Sequence, residues 1–443
     1  MTTDIGPGTI VGDRFELHER IDSGGLATVW RGTDLEADLP VGVKCENDAT
    51  HDSVQVRAHF SQELHWFRRF ATGPRPGTIV HFVDGAVTGD ETYVVTELIE
   101  GGSIDGTLDD GPIDGGSINN GIIDGGSIDN GPIDGGSIDN ETIECGWTPG
   151  LDAVARFAEP VCRAIEFLHR NGVVHLDLKP TNVLVRERGP PAIIDLNSAI
   201  GRDEETTTLF HHDPFKAPEV TPTELRDESV GPWSDVYASG KLLYFLLTGS
   251  SVGFDSSSLS MWHPVDPLAD GADCSPELAA IVRRATEPRP DDRFVDAHEL
   301  FAALAPVLGV PERTLTLVHS PTDTVLDVRP GDTLGRWSPD EPVATVVVPD
   351  AERYVSPVQA TIERDDDGWF LRDRSLNGTF VRRSSGWTYS ISKEGEQRRR
   401  SVDAALPVDD VESTIRLEDG DSIALVDPSF DPTLDVRIND SDD

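Results

Sequence analysis

The chain has 443 residues and a mass of 48.1 kDa, with 37 Lys plus Arg against 80 Asp plus Glu, a formal net charge of −43. That balance excludes nucleic acid and anionic membrane as default partners, because phosphates are bound through a cationic footprint. No apolar run approaches the roughly 18 residues of a membrane span, the start MTTDIGPGTI lacks the regions of a signal peptide, and Cys45, Cys145, Cys162 and Cys274 show no disulfide or zinc spacing. A soluble, cytoplasmic protein of about two or three domains is expected.

Only five lysines occur: Lys44, Lys179, Lys216, Lys241 and Lys393. This Asp-rich, Lys-poor composition is of the haloarchaeal type and predicts work in concentrated salt. At about 1 M salt the Debye length falls to near 3 Å, which screens the self-repulsion.

After an N-terminal tail, 1–12, residues 13–100 mix strand-like runs with one helical stretch. Thr28-Val29-Trp30-Arg31 and Val41-Gly42-Val43-Lys44 read as strands. Val54 to Phe70 has helical spacing, with Phe60, Leu64 and Phe67 on one face. Residues 101–146 hold thirteen glycines and no Lys or Arg, and a ten-residue repeat begins at Gly111 (GPIDGGSINN, GIIDGGSIDN, GPIDGGSIDN). Two readings fit it: a flexible, tandemly duplicated loop, or a small β-solenoid with the isoleucines inward.

Residues 150–305 are mainly helical. Pro160 is expected to kink the stretch Leu151–Arg170 or to mark its effective start. Asp235–Leu247 is apolar almost all round and reads as a buried helix. Residues 306–313 look like a linker. From Thr314 the pattern changes to short alternating runs, as in a β-sandwich over 314–438, followed by an acidic tail, 439–443.

The most informative string is Val174-His175-Leu176-Asp177-Leu178-Lys179-Pro180-Thr181-Asn182, followed by Asp195-Leu196-Asn197 and Ala217-Pro218-Glu219. In order and spacing it resembles the eukaryotic-like (Hanks-type) Ser/Thr protein kinase family, whose strings are HRDLxxxN, DFG and APE. The resemblance implies an α+β bilobal kinase fold over 13–305, apart from the insert 101–146. It implies an ATP-dependent phosphotransferase using Mg²⁺ or Mn²⁺, with protein Ser/Thr hydroxyls as acceptors. Asp177 would orient the hydroxyl, Lys179 would neutralise the transferring phosphate, and Asn182 and Asp195 would hold the metal. Lys44 would hold the nucleotide phosphates and pair with Glu63. Ile21, Gly24, Gly25 and Val29 would cover the nucleotide, and Thr96, Glu97 and Ile99 would form the hinge, with Thr96 as gatekeeper. Asp235 would anchor the catalytic loop, Glu219 would pair with Arg293, and Thr206, Thr207 and Thr208 would be autophosphorylation sites.

Three departures stand out: Asp22 and Ala27 replace glycines of the glycine-rich loop, Leu176 replaces the arginine of HRD, and Asn197 replaces the glycine of DFG. They keep a second function open, a pseudokinase scaffold that binds phosphopeptides without catalysis.

Farther on stand Gly335-Arg336, Ser356-Pro357-Val358-Gln359-Ala360, Asp373-Arg374-Ser375-Leu376-Asn377-Gly378-Thr379 and Leu417-Glu418-Asp419-Gly420-Asp421. They resemble the forkhead-associated (FHA) domain, an all-β sandwich that binds phosphothreonine peptides. Carried over, Arg336 and Ser356 contact phosphate and Asn377 the peptide backbone. Gln359 stands where the family has a loop-bracing histidine. Between Arg382 and Arg400 lie six basic and two acidic residues, a basic island in an acidic chain. Together the two resemblances imply phospho-signalling, with phosphothreonine proteins as partners, no nucleic acid and no membrane span.

Overall fold

The structure, a computed structural model, describes residues 5–24, 27–47, 53–88, 91–106, 148–202, 213–221, 229–250, 263–311, 314–350, 352–383, 386–401, 413–429 and 433–438. The repeats from Gly111, Gly25, Thr206, Thr207, Thr208 and the acidic tail lie outside the described residues.

The N-terminal region is a sheet carrying one long helix. The strands are β1 (Ile10–Val11), β2 (Phe15–Ser23), β3 (Ala27–Asp34) and β4 (Leu39–Glu46), then helix α1 (Ser53–Ala71), the short β5 (Arg75–Pro76), β6 (Phe82–Val87) and β7 (Thr92–Glu97). The sheet order is β1-β2-β3-β4-β7-β6. Alternation along β3 and β4 buries Trp30, Val41, Val43 and Cys45 on one face. The spacing of Phe60, Leu64 and Phe67 buries one stripe of α1 as predicted.

The helical region starts at α2 (Leu151–Ala153). A π-helical turn, Val154–Ala158, leads into α3 (Glu159–Arg170). Pro160 is the second residue of α3 and follows the π-helical turn with no break in the helical backbone, so its missing N–H coincides with the change from π to α rather than with a helix start. Short pairs follow: β8 (Val173–Val174) with β11 (Ile200–Gly201), and β9 (Val183–Leu184) with β10 (Ala192–Ile193). Helix α4 (Pro232–Thr248) is buried nearly all round, as its composition required. Helices α5 (Pro276–Ala285) and α6 (Ala297–Leu308) are capped by the side chains of Ser275 and Asp296. Helix α6 extends into the stretch read as a linker, ending at Leu308 before Gly309, which adopts φ 66°.

The C-terminal region is a sandwich of two six-stranded sheets. Its elements are β12 (Leu315–His319), β13 (Thr324–Val328), β14 (Thr333–Arg336), β15 (Val346–Val348), β16 (Ala360–Asp365), β17 (Gly368–Asp373), β18 (Thr379–Arg383), β19 (Gly386–Ser390), α7 (Lys393–Ser401), β20 (Thr414–Leu417), β21 (Ser422–Ala424) and β22 (Thr433–Ile438). One sheet runs β13-β12-β22-β21-β18-β19. The other runs β20-β17-β16-β14-β15-β5.

The last member of that second sheet comes from the N-terminal region. Arg75 and Pro76 pair antiparallel with Val347 and Val346. Gly77 N–H then donates to the Thr345 carbonyl at 2.9 Å. A Cβ at Gly77 would lie 2.1 Å from the Ala344 carbonyl oxygen, so only glycine admits this approach. Asn171, just past α3, extends the seam: its Nδ2 donates to the Val325 carbonyl (3.1 Å) and its Oδ1 accepts from Val325 N–H (3.2 Å). Arg163 pairs with Asp332, and Arg170 with Asp327 at 2.6 Å. One apolar core runs through both regions.

Candidate active site and phosphate reader

The catalytic loop is held from beneath. The carboxylate of Asp235 is completely buried and accepts from the backbone N–H of His175 (2.7 Å) and of Leu176 (2.8 Å), and contacts His169 Nε2 at 2.9 Å. Burial raises the pKa of Asp235, but His169, His175 and these donors outweigh it and hold it below the usual carboxylate range. Leu176 takes φ 64°, a left-handed conformation costly for a leucine. Its side chain packs with Val174, Ala217, Val220 and Tyr237. Where the kinase family has a charged arginine, this chain has an apolar contact.

Asp177 accepts from Asn182 Nδ2 (3.1 Å), and its carboxylate lies 3.1 Å from Lys179 Nζ and 2.7 Å from Lys216 Nζ. Burial alone would raise its pKa; Lys216 and Lys179 outweigh burial and keep it ionised below the usual range. Lys216 was not singled out from the sequence, although it directly precedes Ala217-Pro218-Glu219 and is one of only five lysines.

Across the cleft, Lys44 Nζ on β4 sits 2.9 Å from Glu63 Oε2 on α1 and 3.3 Å from Asp195 Oδ2. Burial lowers the lysine's pKa, but the two carboxylates reverse that and raise it. Glu63 is pushed up to about 7, burial outweighing the pull of Lys44. Asp195 is held by Asn197, whose backbone N–H (3.0 Å) and Nδ2 (3.1 Å) both donate to it. The asparagine that replaces glycine thus orients the carboxylate.

Strands β3 and β4, expected to cover the nucleotide, place Val29 opposite Lys44. Ile21 is exposed. Asp22 is exposed too, and its carboxylate accepts from Ser23 N–H at 2.7 Å. Gly24 is tied by Asn47 Nδ2 to its carbonyl (2.7 Å). In the stretch expected to form the hinge, Thr96 Oγ1 donates to the Glu97 carbonyl (3.3 Å), and Ile99 packs against the core.

The side chain of Glu97 does not face this cleft. It accepts from Arg186 Nη2 (2.6 Å), His81 N–H (2.8 Å) and Trp337 Nε1 (3.1 Å). Nothing local in the sequence signals that cluster, because Trp337 lies 240 residues from Glu97.

Glu219 and Arg293 form a two-bond pair at 2.7 and 2.9 Å with both side chains fully buried. Ser234 Oγ donates to the same carboxylate at 2.8 Å.

In the sandwich, Gln359 is fully buried and knits the reader loops. Its Oε1 accepts from Ser356 N–H (2.9 Å), and its Nε2 donates to the Gly378 carbonyl (2.8 Å) and to Thr379 Oγ1 (3.0 Å). Gly378 takes φ 87°, and a Cβ there would lie 2.3 Å from the Tyr389 ring. Asn377 Nδ2 donates to the Tyr354 carbonyl (2.8 Å), while its own carbonyl accepts from Tyr389 Oη (2.7 Å) and from Arg399 Nη2 on α7 (3.1 Å). Arg336 Nη1 donates to the Trp337 carbonyl (2.9 Å), while its Nε is buried with no hydrogen-bond partner among the described residues.

A two-lobed cleft with this lysine–carboxylate arrangement defines a protein kinase, and the attached sandwich defines an FHA module. The family description "Protein kinase domain" matches residues 15–300, and "FHA domain" matches 333–393. The chain belongs to the protein kinase family and carries a C-terminal FHA domain. It is 27% identical over 322 residues to the serine/threonine-protein kinase PknL of Mycobacterium tuberculosis, covering 70% of each chain. It is 26% identical over 355 residues to PknB of Mycolicibacterium smegmatis, covering 75% of this chain and 49% of that one.

The family uses ATP and a divalent cation. The donor set fits: Asn182 commits Nδ2 to the Asp177 carbonyl (2.8 Å) and carboxylate, which leaves its Oδ1 as a hard oxygen ligand, and Asp195 supplies a carboxylate. Among the described residues, no helix is long and apolar enough to cross a membrane.

Proposed function

We propose that this chain is a serine/threonine protein kinase that transfers phosphate from ATP to protein hydroxyls and uses its FHA domain to bind phosphothreonine partners. The observation that carries the catalytic reading is the chain of contacts Glu63–Lys44–Asp195 at 2.9 and 3.3 Å, which joins helix α1, strand β4 and the metal loop in one charged unit. Bound ATP supplies the phosphoryl group, and Mg²⁺ or Mn²⁺ screens its charge. Asp177 accepts the hydrogen bond of the incoming hydroxyl, and Lys179 sits beside it to meet the phosphate's charge. Asn182 and Asp195 would hold the metal. Lys44 holds the nucleotide phosphates, with Glu63 fixing the lysine.

The reader half rests on Arg336, Ser356 and Asn377 at the loop ends. A dianionic phosphate suits a guanidinium whose Nε is left without a protein partner. Thr206, Thr207 and Thr208 are proposed autophosphorylation sites. The acidic composition is proposed to serve a cytoplasm rich in salt.

The test is phosphate incorporation from radiolabelled ATP in molar KCl, followed by phosphoamino-acid analysis. The kinase reading expects label on serine and threonine. No incorporation, with phosphothreonine peptide still bound, would establish the scaffold that Asp22 and Asn197 kept open.

A further inference from the structure

The stretch expected to form the nucleotide hinge is touched by the FHA domain. Trp337 follows directly on Arg336. Its indole lies flat on the His81 ring, with centroids 4.1 Å apart and an interplanar angle of 7°. Its Nε1–H donates to Glu97 Oε2 at 3.1 Å.

The cluster around Glu97 is closed and polar. Arg186 donates to Glu97 through Nη2 (2.6 Å) and Nε (3.2 Å), and its Nη1 donates to the carbonyls of Gly77 (2.9 Å) and Pro190 (2.8 Å). Arg75 Nη2 donates to His81 Nδ1 at 2.8 Å. Burial, with Arg75 and Arg186 nearby, pushes His81 down to about 3, so the ring is neutral and can accept that bond. Glu97 and Arg75 are both buried. Two further bonds fix the main chain: Glu97 N–H donates to the His81 carbonyl (2.9 Å), and His81 N–H donates to Glu97 Oε1 (2.8 Å).

The backbone of Glu97 is the part proposed to meet the nucleotide, while its side chain is clamped from the FHA side. We propose that Trp337 is a positioning residue for the ATP hinge, so that nucleotide affinity in the kinase cleft depends on the docked FHA domain. The inference rests on the kinase reading of the cleft. A hydrogen bond to a buried carboxylate is strong and directional. Without it, Glu97 Oε2 keeps only the bond from Arg186 Nε (3.2 Å) and loses the donor that comes from the FHA side.

The reader lies one residue away. Arg336 Nη1 holds the Trp337 carbonyl, so an anion that draws this guanidinium pulls on the brace directly. Coupling of this kind is reciprocal: a bound phosphopeptide and a bound nucleotide change each other's affinity by the same factor.

The experiment uses the full chain in molar KCl, with a non-hydrolysable ATP analogue and Mg²⁺ titrated calorimetrically. Trp337→Phe keeps an aromatic ring for the His81 stack and removes only the donor. The analogue's Kd and the KM for ATP are expected to rise about threefold to tenfold, with kcat unchanged and a modestly lower thermal midpoint. A merely structural seam would lower the midpoint and leave KM alone. Hydrogen exchange at residues 97–99 gives a second readout, expected to be faster in the variant. On the wild-type chain, a bound peptide of residues 202–211 phosphorylated at Thr206 is expected to change the analogue's Kd.

Wild-type nucleotide affinity and hinge exchange in Trp337→Phe would overturn the brace. A bound peptide without effect on the analogue would overturn the coupling. A chain that binds no nucleotide at all would instead contradict the kinase reading on which both stand.

Discussion

In the catalytic cleft each acidic side chain has a cation close by: Asp177 has Lys216 at 2.7 Å, Glu63 has Lys44 at 2.9 Å, and Asp195 has Lys44 at 3.3 Å. In the FHA region Arg336 keeps a buried Nε with no hydrogen-bond partner among the described residues, and burial with the neighbouring Arg353 lowers its pKa. The cleft is charge-satisfied before anything enters it. The proposed reader keeps one arginine donor without a hydrogen-bond partner among the described residues. The difference fits their tasks. A phosphotransferase needs its groups preorganised at the moment of reaction, whereas a reader gains specificity when its polar groups stay unpaired without the phosphate.

Four substitutions or conditions sharpen that contrast. The largest effect is expected from Asp177→Asn, which keeps the shape but removes the acceptor for the hydroxyl proton. Phosphate incorporation should fall about 10²- to 10⁴-fold, with ATP affinity retained by calorimetry.

Next comes Arg293→Met. It strands the carboxylate of Glu219 in a site where neither side chain is exposed. Breaking such a buried pair costs about 3–5 kcal/mol, read as a lower denaturant midpoint at fixed salt.

Arg336→Ala should weaken a phosphothreonine peptide about tenfold to a hundredfold and leave the weak binding of the unphosphorylated peptide as it was. Fluorescence anisotropy measures both. Equal losses for the two peptides would mean that Arg336 supports the fold rather than reading phosphate.

The smallest effect concerns pH. Burial raises Glu63 to about 7, so its protonated form persists well above the ordinary carboxylate range. The charged pair with Lys44 is complete only as pH rises through that value. The rate at limiting ATP should therefore increase about fivefold between pH 6 and pH 7, as for one group titrating near 7. Glu63→Gln should flatten that limb, a result visible in a pH profile of kcat/KM.

How far the sequence was readable follows the same division. Lys44, Asp177, Asn182 and Asp195 could be proposed from the sequence because phosphoryl transfer demands given residue types at short spacing. The sandwich was legible from alternating runs, and a change in the helix near Pro160 from the missing N–H. The seam between the regions was not legible. Strand β5 is two residues long, contains a proline, and pairs with residues some 270 positions away. Glu97 could be proposed as a hinge residue, but not the direction of its side chain, because Arg186, His81 and Trp337 are brought to it only by the fold. Lys216 could have been suspected from the scarcity of lysine; its 2.7 Å contact with Asp177 could not. Local chemistry leaves a local signature, and docking leaves none.

The most direct measurement is radiolabel incorporation in molar KCl by the wild-type chain and by Asp195→Asn in parallel. The account predicts label on threonine or serine in the wild type and none in the variant, because the variant loses the carboxylate proposed to hold the metal. Equal incorporation by both would contradict the assigned metal loop. No incorporation by the wild type, with nucleotide and Mg²⁺ present, would contradict the kinase account itself.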